Sequence, residues 1–162
     1  MTADEVKLFL ETFETLVMAS ITPTGEPHAS TAPYVRINND FYILISTVAQ
    51  HGRNLLASSQ VSLLFAEDES KTLQPFARKR ATIEASVSEI HRETPIFLEA
   101  IDCFKAHFDS DLVQSLSEMG DFHFFKLSPL SGSVVMGFGK AYRLNENLEV
   151  VTHISAVHQH SK

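Results

Sequence analysis

The chain has 162 residues, of which 44% are apolar, with a net charge of −7, twelve Phe, no Trp and one Cys. That length suits one domain, or one half of an obligate dimer. The acidic balance excludes nucleic acid and an anionic membrane surface as general partners, because both demand a basic footprint.

An anionic cofactor needs a local basic patch that works against the global field. No run approaches the ~18–20 apolar residues of a membrane span. The first residues, MTADEVKLFLETF, carry acids where a secretory leader has Lys or Arg, so a cytoplasmic location is expected. The single Cys103 precludes an internal disulfide and fits a reducing compartment. It falls in an apolar helical pattern and reads as a packing residue.

In chain order, Thr2 and Glu5 form a capping box, and Val6, Phe9, Leu10 and Phe13 follow at helical spacing. From Thr15 the pattern turns to β. LVMASIT, the tight turn Pro23-Thr24-Gly25-Glu26 and HASTAPYVRI predict a hairpin, and Asn38-Asn39-Asp40 turns into the β-prone FYILIS. Residues 50–58 (QHGRNLLAS) predict a short crossover helix into QVSLLFAE. After a loop over 71–75, residues 76–91 (FARKRATIEASVSEIH) alternate like one long strand with a wet face. Pro95 sits at the favoured first position of a helix, TPIFLEAIDCFKAHF, and a second helix, DLVQSLSEM, ends at Gly120. Two strands, DFHFFKLSP and GSVVMGFGKAYRL, close a domain over 1–144. Residues 145–162 form a polar tail with weak β-character that carries three of the eight His.

Three features carry chemistry. Arg78, Lys79 and Arg80 open the long strand, and alternation places both arginines on one face. Two guanidiniums ~6–7 Å apart grip a phosphate or a pair of carboxylates. His153, His158 and His160 lie in the last ten residues, and a neutral imidazole is a common metal ligand. Ser46, Thr47 and Arg53 flank the crossover and add hydroxyl and guanidinium donors there. Gly137 and Gly139 flank Phe138 on one predicted strand face, which would admit a flat ligand. The remaining His show no metal-ligand spacing.

The hairpin ending in PYVRI, then FYILIS, then HGRNLL leading into VSLLF resembles the FMN-binding split barrel of pyridoxamine-phosphate-oxidase-like proteins. The ordered set HGRNLLASSQVSLLFAEDE, FARKRATIEA, DFHFFKLSP and GFGKAYRL is similar to the HugZ/HutZ group of heme-utilisation proteins. That resemblance implies a mainly β, α+β split barrel with peripheral helices, working as a homodimer. It implies a heme-degrading oxygenase for iron acquisition, using an external electron donor and yielding a biliverdin-type tetrapyrrole, CO and ferrous iron. It also implies roles for particular residues. Arg80 would lie over the heme opposite its ligand, Arg78 would contact the propionates, and the axial ligand would be His160 or His158, with His153 behind both. Asp121 would hydrogen-bond the axial histidine across the dimer. The alternatives are an FMN-dependent oxidoreductase using Ser46 and Arg53, or a heme carrier without turnover.

Overall fold

The computed structural model describes residues 1–155. Helix α1 (Ala3–Leu10) starts at the expected capping box: Glu5 N–H donates to Thr2 Oγ1 at 3.2 Å, and Thr2 N–H donates to Glu5 Oε2 at 2.6 Å. Strands β1 (Thr15–Ile21), β2 (Pro27–Ile37) and β3 (Asp40–Ser46) follow, then α2 (Gln50–Ala57) and β4 (Gln60–Ala66). After two 3₁₀ turns come β5 (Arg80–Ile90), α3 (Pro95–His107), α4 (Ser110–Glu118), β6 (Phe122–Val135), β7 (Ala141–Leu144) and β8 (Val150–His153).

The strands form one antiparallel sheet in the order β3-β2-β1-β4-β5-β6-β7-β8, and β3 pairs with β6 to close the first six into a barrel. Period-2 alternation fills it: Leu16 and Met18, Phe41, Ile43 and Ile45, Leu63 and Phe65, Ala81 and Ile83, and Phe125 and Leu127 all point inward. The FYILIS run lacks a polar face because it has no wet side. Tyr42 and Leu44 point outward into a second core with Phe97, Phe104 and Phe124, where α3 and α4 cover the barrel. Cys103 belongs to this packing; burial raises its thiol above the usual range.

Three expectations are corrected. The strand expected over 76–91 begins only at Arg80, because Pro75–Ala77 form a 3₁₀ turn capped by Gln74. Arg78 therefore stands before the strand, and strand alternation does not set its direction. The two final strands are placed differently: β6 runs unbroken through Pro129. Proline survives there because the register shifts opposite Glu84/Ala85, and Leu130 has no partner in the β5–β6 register, so the missing N–H falls at a bulge. Gly137 (φ 142°) and Gly139 (φ 67°) lie in the turn between β6 and β7, not on a strand. The weak β-character expected after Leu144 takes shape as β8 at the sheet edge, and Leu148 is fully buried.

Candidate functional site

The predicted residues fall into two groups at opposite ends of β6. At its start, Ser46 closes β3 opposite Phe122. Ser46 Oγ accepts from Val48 N–H at 3.1 Å and donates to Asp121 Oδ2 at 2.5 Å. The Asp121 carbonyl accepts from Thr47 N–H at 2.8 Å and from Thr47 Oγ1 at 3.1 Å. Chain segments 75 positions apart are thus pinned by one acid. Gly52 makes this possible, since a Cβ there would overlap the Ser46 carbonyl. Arg53 donates to the Val48 carbonyl and to Gln50 Oε1 at 2.8 Å.

This geometry bears on the flavin alternative. A phosphate approaching Ser46 meets the Asp121 carboxylate, to which the Ser46 hydroxyl already donates. The Ser46 proton is therefore committed, and an incoming phosphate there faces a like charge.

At the other end of β6, Arg80 pairs in register with Val135 and Ala66. Ala81, Ile83 and Ala85 fill the barrel, so Arg80, Thr82 and Glu84 face outward. Cross-strand neighbours Leu64 and Ser133 continue this outer face, and Val17 and Ala19 of β1 stand exposed on it. Arg80 donates to the Arg78 carbonyl at 2.9 Å, and Arg78 Nε donates to the Glu67 carbonyl at 2.7 Å. The carboxylate nearest Arg78 is that of exposed Glu69, 3.6 Å away. These cations keep donors free for a ligand. Exposed Leu73, Phe76 and Phe138 lie in the neighbouring turns.

The two groups are separated by the whole of β6, from Phe122 to Val135, on the order of 40 Å along the strand path. One chain does not bring Asp121 and Arg80 together. His158 and His160 lie outside the described residues. His153 sits on β8, where Nε2 donates to the Gly139 carbonyl at 2.7 Å and the ring meets Tyr142 edge-on.

Sequence reasoning missed one pair. His123 Nδ1 donates to Glu89 Oε1 at 2.5 Å where the barrel opens near Asp121. Its signal is register: Ile45 and Phe125 flank His123 on the inward side, so His123 points inward too. His51 shares a hydrogen bond with Ser30 Oγ at 3.0 Å; burial, and then nearby His28, pull its pKa below the ordinary imidazole value.

A family model described as pyridoxamine 5'-phosphate oxidase matches residues 2–135. The heme oxygenase HutZ of Vibrio cholerae is 35% identical over 156 residues, covering 96% of this chain and 88% of that protein. A crystal structure of HutZ from Vibrio cholerae, described there as a heme storage protein, superposes with a TM-score of 0.73 at 36% identity over 78% of this chain and 88% of that one. The crystal structure of ChuZ from Campylobacter jejuni gives a TM-score of 0.82 at 28% identity, covering 97% of this chain and 66% of that one.

Proposed function

The chain belongs to the pyridoxamine 5'-phosphate oxidase family, among its HutZ-type heme-utilisation members, and from that premise we propose that it binds heme and opens the ring oxidatively to release iron. The observation that carries this reading is the placement of Arg80. It stands on the outer sheet face beside small and apolar side chains, with its guanidinium bonded to a backbone carbonyl. A flat apolar macrocycle with an anionic edge fits such a face, with Arg80 over the ring and Arg78 toward the propionates.

In this reading the working unit is a homodimer. The Asp121 end and the Arg80 end are each half a site, and in a two-fold related pair one chain's Arg80 would face the ring from the side opposite the histidine that its partner's Asp121 holds. His160 or His158 would supply the imidazole that holds the heme iron. Asp121 would accept the other N–H of that ring, fixing its tautomer and strengthening its donation to iron. Bound heme supplies the redox chemistry, with dioxygen and an external reductant as co-substrates; the products are a biliverdin-type tetrapyrrole, CO and ferrous iron. The chain's residues orient the ring, neutralise its carboxylates and offer a donor to the face opposite the histidine.

Titration with hemin followed by ascorbate in air, with catalase present, tests the proposal. A saturable Soret band that bleaches, with ferrous iron trapped by a chelator, is the expected result. A saturable band that survives reductant makes the protein a carrier, the role that the description of the HutZ crystal structure favours.

A further inference from the structure

The hydrogen bonds around Asp121 are directional. The Ser46 hydroxyl takes the Val48 N–H on its lone pair, which turns its proton toward Asp121 Oδ2. Thr47 holds the Asp121 backbone through both its N–H and its side-chain oxygen. With main chain and one carboxylate oxygen both held, rotation about the side chain is arrested. Oδ1 has no hydrogen bond among the described residues. An acid held by one oxygen and free at the other is built to receive one further donor from a fixed direction.

We infer that Ser46 is a positioning residue that sets the orientation of the Asp121 carboxylate toward the axial histidine, and so tunes the iron–histidine bond without touching heme. This rests on the proposed Asp121–histidine contact, and it assigns to the Ser46 hydroxyl a task other than phosphate binding. Gly52 belongs to the same device, because the close approach of α2 holds the Ser46–Thr47 backbone where both can reach Asp121.

The experiment is resonance Raman spectroscopy of the ferrous heme complex of the full chain. The iron–histidine stretching frequency rises with the strength of the hydrogen bond to the imidazole. Ser46→Ala and the near-isosteric Ser46→Cys, whose thiol is a weak donor, should lower it part of the way to the value of Asp121→Asn. Ser46→Thr, which keeps the hydroxyl, should restore it. A frequency that falls in Asp121→Asn but stays at the wild-type value in Ser46→Ala and Ser46→Cys overturns the role of Ser46. A frequency unchanged in Asp121→Asn removes the contact on which the inference rests, and with it the inference.

Discussion

The two ends of β6 are built on opposite plans. At the Phe122 end, Ser46, Thr47, Val48 and Asp121 satisfy one another within a single chain. At the Val135 end, Arg78 and Arg80 bond to backbone carbonyls, their nearest acid is exposed, and large apolar side chains in the adjoining turns face solvent. The difference teaches where rigidity is needed. Under the proposed function, an acid that aims one oxygen at one donor has its own scaffold. Cations that would receive a large anionic ligand keep donors in reserve, because each hydrogen bond already made would have to be exchanged on binding.

Experiments can break that contrast. The largest effect is expected from replacing both His158 and His160 by Ala, which removes the proposed axial ligand and with it the saturable hemin band; an unchanged spectrum means that iron is held elsewhere. Next comes Gly52→Ala at the scaffolded end. Overlap with the Ser46 carbonyl should cost ~2–3 kcal/mol in denaturant unfolding, and an effect below ~0.5 kcal/mol would show that α2 yields freely there. Arg80→Ala at the open end should do the reverse, weakening hemin binding about tenfold while moving unfolding by under ~0.5 kcal/mol. A loss of stability comparable to that of Gly52→Ala would mean that both ends are scaffold.

The remaining effect is confined to alkaline pH and lies in the barrel core. Burial pushes Tyr34, whose hydroxyl donates to the Leu10 carbonyl at 2.5 Å, up to about 12 from a usual 10.0. The folded state therefore favours the neutral phenol. Its contribution is complete below pH 10 and fades as pH rises from 10 toward 12. Tyr34→Phe should flatten the stability profile across that window and leave its shape at lower pH unchanged. A profile as steep as the wild type would assign the alkaline loss to another group.

The fold was legible wherever a single local rule governed. The Thr2–Glu5 capping box, the alternation of LVMASIT and the apolar FYILIS run each have one structural solution. Reading failed where tertiary context decided. Pro129 looks like a strand terminator until the bulge opposite Glu84 gives it a place without a ladder hydrogen bond. Phe76 and Ala77 continue a plausible alternation that Pro75 and the Gln74 cap divert into a turn. Within the site, Ser46, Arg53, Asp121 and the arginines could be named as candidates from their types and order. Their partners could not, because Ser46 meets Asp121, and His123 meets Glu89, only through strand pairings between distant segments.

The β3–β6 seam that closes the barrel also dictates when the carboxylate clamp can exist. Every other neighbouring pair in the barrel joins strands closer in sequence, whereas Phe41 meets Leu127 and Ser46 meets Phe122. Long loops close late, because the entropy of bringing their ends together is lost before any contact rewards it. A nascent or partly folded chain can hold the β4–β5 ladder, and with it Arg80, well before Ser46 finds Asp121. Within one chain the clamp thus closes after the ladder that carries Arg80, and a chain that holds Asp121 through Ser46 is one whose barrel has already shut.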